Sequence, residues 1–267
     1  MNEAGISDET AQICNVIISN KEWHRKYTGE VSARSGSKIV YIDDKEKVTY
    51  GYLKQLCPRY VFFPHWSNII PVDVYDNFEC VIFHMTDLPF GRGGSPLQNL
   101  IERSIYETKL SAIRCRRELD GGEVYMKRPL SLWGTAEEIY LRAAELTKEM
   151  MVEIATSGIT PVPQTGEPVV FRRRKPEQGD ISGLGSLEKV FDYIRMLDAD
   201  GYPSAFLEKG KLRLEFERDV RLFGRLVQRF QLFQFHLHVD RNRFHLPDPP
   251  KHDLPCGRHR DARCDEH

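Results

Sequence analysis

The sequence lacks long apolar runs, disulfide-like cysteine spacing and a strong net charge, and each absence excludes a class of protein. No segment approaches the ~18 consecutive apolar residues of a membrane span, and the first ten residues show no basic-then-apolar signal pattern. Six cysteines are scattered singly, which is typical of reduced thiols. The formal net charge of −1 argues against a nucleic-acid partner. We therefore predict a cytoplasmic globular protein with no membrane partner.

Histidine is also scarce through most of the chain, since only His24, His65 and His84 precede residue 236. His84 follows the apolar run 80–83, which is typical of a buried parallel strand. A histidine there is often a core residue, but the next segment is rich in glycine and contains Arg92. Open α/β sheets bind their ligands where strand ends meet such loops. We predict a functional site at His84, with a core histidine as the alternative.

Short β-branched and aromatic runs alternate with helical patterns, which predicts an α/β fold: a Rossmann-like, mostly parallel sheet with flanking helices. Ser95 is the predicted N-cap of one helix, and a capping box at Thr135 begins the longest one. The predicted strands are 14–18, 38–42, 60–63, 80–84, 109–115 and 123–127, and the predicted helices are 48–56, 95–104, 136–156 and 186–197.

Changes in composition divide the chain into four parts. We predict a catalytic domain at 1–160, a proline- and glycine-rich linker at 161–185, a small α+β module at 186–235 and an irregular tail at 236–267. The tail contains six of the nine histidines but few apolar residues, which favours disorder. Four residues of the tail could be interpreted as zinc ligands, but their spacing matches no known zinc-binding module, and we predict no metal site. They are His252, Cys256, His259 and Cys264.

Several motifs together resemble the folate-dependent formyltransferase family, which includes methionyl-tRNA formyltransferase and the N-formyltransferases of nucleotide-linked amino sugars. The resemblance covers most of residues 12–210, and the wording after His84 is most similar to the sugar branch of pseudaminic-type pathways. The motifs are His84-Met85-Thr86-Asp87-Leu88-Pro89, Arg92-Gly93-Gly94-Ser95-Pro96-Leu97-Gln98, Leu119-Asp120-Gly121-Gly122, Leu130-Ser131-Leu132, Tyr193-Ile194-Arg195-Met196-Leu197 and Gly201-Tyr202-Pro203-Ser204-Ala205-Phe206.

The resemblance implies formyl transfer from 10-formyltetrahydrofolate to the amine of a nucleotide-linked amino sugar. His84 matches the family's catalytic histidine and Asp120 its catalytic aspartate, while a plain turn residue is the alternative for Asp120. The family's third catalytic residue is an asparagine, and Ile82 takes its position here. Because isoleucine cannot donate to an oxyanion, we hypothesise that His65 supplies that hydrogen bond. Other candidates are Ser67 and Asn68, or backbone N–H groups together with His84.

The resemblance also implies where the folate and the second substrate make contact. Trp66 could stack on a pterin or a base, with a packing lid as the alternative. We expect the segment around Arg92 to be mobile and, with Arg172, to reach phosphates, unless the cluster 172–175 is a solvated face. The predicted cofactor-binding residues are Trp66, Ser67, Arg92, Gly93, Gly94 and Leu119.

Three other functions stay open at this stage. Methionyl-tRNA formyltransferase is the first alternative, and it calls for a longer, basic carboxyl-terminal domain. A formyl-folate hydrolase is the second. A non-catalytic module that binds folate or a nucleotide is the third, and Ile82 is the reason to consider it. The sequence does not identify the sugar, and a homodimer is one alternative for the oligomeric state.

Overall fold

The computed structural model describes residues 12–216 and the backbone of residues 235–238. In this part of the chain, six strands form a central sheet in the order β2-β1-β3-β4-β6-β7. The strands are β1 (Cys14–Ile18), β2 (Lys38–Ile42), β3 (Tyr60–Phe63), β4 (Cys80–His84), β5 (Phe90–Gly93), β6 (Glu107–Arg114), β7 (Val124–Ser131), β8 (Val169–Phe171), β9 (Ala205–Lys209), β10 (Leu212–Phe216) and β11 (Phe235–His238).

The first four strands of the sheet pair in parallel, whereas β6 pairs antiparallel with both β4 and β7. The predicted fold class, a mostly parallel Rossmann-like sheet with flanking helices and a small carboxyl-terminal module, is confirmed. The α-helices of the described residues are α1 (Glu22–Arg25), α2 (Thr28–Ser35), α3 (Tyr50–Leu56), α4 (Val72–Tyr75), α5 (Pro96–Glu102), α6 (Ala136–Ser157) and α7 (Leu187–Arg195). None of these helices combines the length and the apolarity that crossing a membrane requires.

Apolar side chains are buried on both faces of the sheet because neighbouring residues of a strand point in opposite directions. In β1, Ile17 packs into the larger cluster, which includes residues of α6 such as Ile139 and Met150. Val16 and Ile18 pack into the second cluster with Leu53 of α3. The continuous apolar runs of the sequence are thus those of strands covered on both faces.

Two predicted helix starts have different outcomes. The capping box of α6 is present, since the Thr135 hydroxyl accepts from the N–H of Glu138 and the Glu138 carboxylate accepts from the N–H of Thr135. Ser95 is at the N-cap position of α5, as predicted, but its side chain makes no capping hydrogen bond. Ser95 has a φ of 49°, and its hydroxyl accepts from the N–H of Arg174 at 3.0 Å rather than from its own helix. A tertiary contact has replaced the local one.

Residues predicted to be a linker pack directly on the first domain. Val162 exchanges both backbone hydrogen bonds with Val124, and β8 pairs in parallel with β5. The segment 161–185, which we predicted to be a linker, therefore completes the surroundings of β5.

The carboxyl-terminal module is an antiparallel sheet in the order β11-β10-β9, and α7 packs against α5. Residues 236–238, which the sequence placed in the irregular tail, are part of β11. The rest of the predicted tail, with its four drawn zinc ligands, lies outside the described residues, as do residues 217–234 of the module.

Candidate active site

His84 ends β4 at the carboxyl edge of the parallel strands, and its side chain is only 10% exposed. Its Nε2 lies 2.7 Å from the carbonyl oxygen of Gly91, and its Nδ1 lies 3.6 Å from Oδ2 of Asp120. Since a carbonyl oxygen can only accept, Nε2 is the protonated nitrogen in this contact. The carboxylate of Asp120 faces the other nitrogen, where it can stabilise positive charge on the ring.

Asp120 belongs to the turn between β6 and β7, and its backbone has a φ of 51°. Asp is one of the few residues with a side chain that adopts this left-handed conformation readily. The conformation directs Oδ2 toward the N–H of Gly93, which donates to it at 2.8 Å. The sequence prediction that His84 and Asp120 share a site is thus matched by their positions.

The glycines after His84 serve close backbone packing. Gly93 has a φ of 101°, and a Cβ at this position would lie 2.4 Å from the carbonyl oxygen of Phe171. The N–H of Gly94 donates to the same oxygen at 3.2 Å. We expected a mobile loop here. Instead the segment forms β5 and is paired with β8.

Arg92 is engaged by protein groups, which is a second correction. Its Nη1 donates to the carboxylate of Glu118 at 2.5 Å, and its Nε and Nη2 donate to Oε1 of Gln164 at 3.1 and 2.8 Å. The side chain is 12% exposed. We expected this guanidinium to reach a phosphate, but it holds two other parts of the chain together. Arg172, the other expected phosphate ligand, is exposed.

Gln164 joins this site although the sequence analysis did not single it out. Its Nε2 donates to the carbonyl oxygens of Asp120 and Gly122, both at 2.8 Å. No periodic pattern marks a single glutamine among prolines, and its partners are distant in sequence. It is recognised as part of the site only from its position between β8 and Val162, the residue that pairs with Val124.

The structure does not bring His65 to Ile82. Its ring packs against Trp23 and Tyr140, with centroids 5.7 and 4.6 Å away, and its Nε2 lies 3.2 Å from the hydroxyl of Tyr202. These three aromatic residues belong to the larger cluster.

Ile82 packs instead against the second cluster and against Leu88, Ile113 and Val124. The two side chains therefore lie on opposite faces of the sheet, which argues against the hypothesis that His65 replaces the missing amide.

Burial changes the chemistry of two side chains near the sheet edge. Burial, and then the positive charge of Lys21, lowers the pKa of His65 to about 4. Burial, and then the negative charge of Asp120, raises the pKa of Cys115 to about 11. At neutral pH, His65 is a neutral ring and Cys115 a protonated thiol, so Cys115 is not a nucleophile here.

The other predicted cofactor-binding residues have different surroundings. Trp66 packs on Phe63 with ring centroids 6.3 Å apart, which favours the packing interpretation, although its buried indole N–H has no hydrogen-bond partner. Ser67 is exposed. Leu119 is 68% exposed, next to Asp120, and offers an apolar contact to a ligand at the site.

Asp87 is a further charged group of the loop after β4. Burial alone would raise its pKa, but hydrogen bonds from Lys127 and Lys109 hold the pKa below its usual value. Nζ of Lys127 lies 2.6 Å from Oδ1, and Nζ of Lys109 lies 3.0 Å from Oδ2. Asp87 is thus an ion-paired carboxylate that fixes the loop leading from His84 to β5.

Comparisons with known proteins agree with this fold. Residues 176–232 match a family model described as the C-terminal domain of methionyl-tRNA formyltransferase. A solved structure of methionyl-tRNA formyltransferase from Clostridium thermocellum is 46% identical, with a TM-score of 0.76 over 85% of this chain and 99% of that one.

Two other comparisons are more distant. Methionyl-tRNA formyltransferase of Wolinella succinogenes is 27% identical over 61% of this chain and 53% of its own length. The chain thus spans about half the length of the curated relatives it matches. A sugar N-formyltransferase from Shewanella sp FDAARGOS_354 has a TM-score of 0.62 at 15% identity over 81% of this chain and 99% of that one, a similarity of fold alone.

Proposed function

We propose that this chain transfers the formyl group of 10-formyltetrahydrofolate to an amine. The chain belongs to the methionyl-tRNA formyltransferase-like family of formyltransferases, which is the reason for this proposal. The observation that carries the proposal is the pairing of His84 with Asp120 at the carboxyl edge of the sheet. This edge is where open α/β sheets bind their ligands. The second support is the exposed apolar side chain of Leu119 beside that pair.

Formyl transfer forms a C–N bond to the acceptor and breaks the bond between the formyl carbon and N10 of the folate. The attacking amine loses a proton, and N10 gains one as it departs. His84 is the group we assign to this proton movement, because a ring nitrogen of an imidazole can both donate and accept a proton. Asp120 stabilises the charged ring that forms when His84 holds the extra proton.

The tetrahedral intermediate also carries an oxyanion that needs a hydrogen-bond donor. Ile82 cannot provide one, and its neighbours Leu88, Ile113 and Val124 are apolar. We assign this role to the Nε2–H of His84, which a bound carbonyl oxygen would take over from Gly91. The same nitrogen donates to the oxyanion, delivers its proton to N10 as the folate departs, and then takes up the proton that the acceptor nitrogen releases, so that Nε2 is again protonated when the reaction ends.

The acceptor we favour is the amino group of methionyl-tRNA, because the relatives carry that name and the carboxyl-terminal match is to the same enzyme. This reverses the preference of the sequence analysis. The nucleotide-linked amino sugar becomes the second candidate. It is favoured by the net charge of −1 and the lack of a basic stripe, which distinguish this chain from a typical nucleic-acid binder.

One assay separates these candidates. The purified chain is mixed with 10-formyltetrahydrofolate and, in parallel, with methionyl-tRNA, a panel of nucleotide-linked amino sugars, or no acceptor. Released tetrahydrofolate and the mass gain of one formyl group are followed, with His84→Gln as the inactive control. Formylated methionyl-tRNA supports the favoured acceptor, and a formylated sugar supports the second. Release of tetrahydrofolate without an acceptor indicates a hydrolase. If the chain binds 10-formyltetrahydrofolate but none of the mixtures shows turnover, the proposal is contradicted.

A further inference from the structure

We infer that Gln164 is a positioning residue that holds Asp120 against His84. The inference rests on the proposed function, because it concerns the machinery of that reaction. Gln164 does not touch the imidazole. It acts on the backbone of the turn that carries Asp120, through two hydrogen bonds of 2.8 Å.

All of the hydrogen-bonding capacity of this amide is in use. Two N–H bonds donate to the carbonyl oxygens of Asp120 and Gly122, and Oε1 accepts from Nε and Nη2 of Arg92. An amide has two donors and one oxygen with two lone pairs. The orientation of Gln164 is therefore fixed, because a flipped amide would place donors against Arg92 and an acceptor against two carbonyl oxygens.

Asp120 itself is joined to β5 in two ways, in addition to the contact of Arg92 with Glu118 in the same turn, and Gln164 provides one of them. The first connection is direct, from the N–H of Gly93 to Oδ2 of Asp120 at 2.8 Å. The second runs from Arg92 through Gln164 to the carbonyl oxygen of Asp120. Arg92 and Gly93 are neighbours in β5, so one strand holds both the carboxylate and the backbone of the same residue.

Asp120 needs such support because of its conformation. A non-glycine residue at a φ of 51° costs free energy, and it persists where its surroundings determine it fully. Without the two donors of Gln164, the carbonyl oxygens of Asp120 and Gly122 would lose these partners. The turn could then relax away from β5, carrying the carboxylate away from Nδ1 of His84.

Gln164 itself is held on both sides. Two residues earlier, Val162 exchanges backbone hydrogen bonds with Val124 at 2.7 and 2.9 Å. Further along the chain, β8 pairs with β5. The glutamine therefore has a backbone firm enough to fix the position of the turn.

Two substitutions separate the functions of this amide. Gln164→Ala removes the donors and the acceptor, whereas Gln164→Glu keeps an acceptor for Arg92 but replaces the donors by a negatively charged oxygen. We expect both variants to lose about 10- to 100-fold in kcat, because misplacing a reacting group by about 1 Å has an effect of that order. KM for 10-formyltetrahydrofolate and for the acceptor is expected to stay within about twofold, because the hydrogen bonds of the Gln164 amide all go to protein groups.

Two control variants test whether lost stability is the cause. Arg116→Gln breaks the ion pair between Arg116 and Glu123, which lies in the same hairpin as Asp120 but does not contact it. Thr135→Ala removes the N-cap of α6. Both are expected to keep kcat within about twofold, and Thr135→Ala is expected to lower Tm at least as much as the Gln164 variants. The inference is overturned if Gln164→Glu retains wild-type kcat. It is also overturned if Thr135→Ala, with a fall in Tm like that of the Gln164 variants, loses as much kcat as they do.

A measurement without turnover keeps this inference separate from the proposed function. The Gly93 amide donates to Oδ2 of Asp120, so its hydrogen exchange, followed by NMR, reports how firmly the carboxylate is held. We expect exchange at least about 10-fold faster in Gln164→Ala than in wild type or Arg116→Gln. If the wild-type chain formylates no acceptor, the proposed function fails while faster exchange still supports the positioning role. Equal exchange rates overturn that role whether or not the wild type is active.

Discussion

Nδ1 of His84 lies 3.6 Å from Oδ2 of Asp120, and the N–H of Gly93 donates to that same oxygen at 2.8 Å. The carboxylate is thus shared between the imidazole and the backbone of β5. The backbone donor fixes where the charge of Asp120 lies, and in the proposed reaction the imidazole is the group whose charge changes. This relationship explains why a turn residue with an unusual backbone conformation is paired with a strand-end histidine.

Asp120→Asn tests the charge of the pair without changing its shape. Asparagine also adopts the left-handed conformation readily, and its oxygen still accepts from Gly93. We expect kcat for formyl transfer to fall by about 10²–10³-fold, the usual cost of losing such an electrostatic contact. Steady-state kinetics and thermal unfolding measure both effects, with Asp73→Asn, an exposed aspartate of α4, as the matched control. Wild-type kcat in Asp120→Asn would show that the carboxylate's charge plays no part.

His65→Gln tests whether His65 has any role in the chemistry. Its ring lies among Trp23, Tyr140 and Tyr202, away from Ile82. We therefore expect kcat to stay within about threefold of wild type, well short of the 10²–10³-fold cost of removing an oxyanion donor. Tm should fall because ring packing is lost. A kcat loss of that larger size at unchanged KM would restore His65 as the donor.

The two histidines of this aromatic region predict how stability depends on pH. Burial, and then the charge of His65, lowers the pKa of His24 to about 3, and the pKa of His65 is lowered to about 4. Below about pH 6.5 the unfolded chain binds protons at these residues and the folded chain does not. The free energy of unfolding therefore decreases as the pH falls, and between pH 7 and 5 we expect the two histidines together to remove about 2 to 4 kcal/mol.

Urea unfolding at several pH values measures this dependence. His24→Gln replaces one of the two histidines by a group that does not titrate, so it should remove about half of the pH dependence between pH 7 and 5. The comparison uses the slope of the free energy of unfolding against pH, so a loss of stability in the variant at pH 7 does not affect it. A pH dependence equal to that of the wild type would exclude His24 as a source.

Gly93→Ala tests the packing of β5 against β8. The added Cβ would lie 2.4 Å from the carbonyl oxygen of Phe171, at a φ of 101° that alanine rarely adopts. We expect a loss of at least about 2 kcal/mol in the free energy of unfolding, together with loss of activity because Gly93 also holds Asp120. Gly51→Ala in α3 is the control, since its Cβ would meet no atom within 4 Å. Equal stability of the two variants would contradict this account of Gly93.

Local pattern was sufficient for most of the elements. The strands 14–18, 38–42, 60–63 and 80–84 have the predicted bounds, because continuous apolar runs between turn residues suit strands buried on both faces. The helix after Thr135 also has its predicted start, since a capping box acts within four residues. Ser95 precedes α5 as predicted, but it does not cap the helix, because its hydroxyl accepts from the N–H of Arg174, a partner far along the chain.

The candidate site divides in the same way. His84 was predicted from its place at the end of an apolar run, and Asp120 from a short motif that resembles one of the formyltransferase family. The partners of Arg92 and the role of Gln164 could not be found, because each hydrogen bond joins segments that meet only after the linker packs beside β5. His65 was misassigned for a related reason, since the face on which its ring packs depends on where α6 lies.

The sequence by itself determined the α/β architecture, the capped helix and the position of His84 at a strand end. These depend on backbone preferences and on the alternation of apolar residues, which act over a few residues. Only the tertiary structure decided which groups surround that histidine. Hydrogen bonds and aromatic contacts act over a few ångströms of space, and packing of the whole chain brings the turn of Asp120, β5 and Gln164 to within that distance.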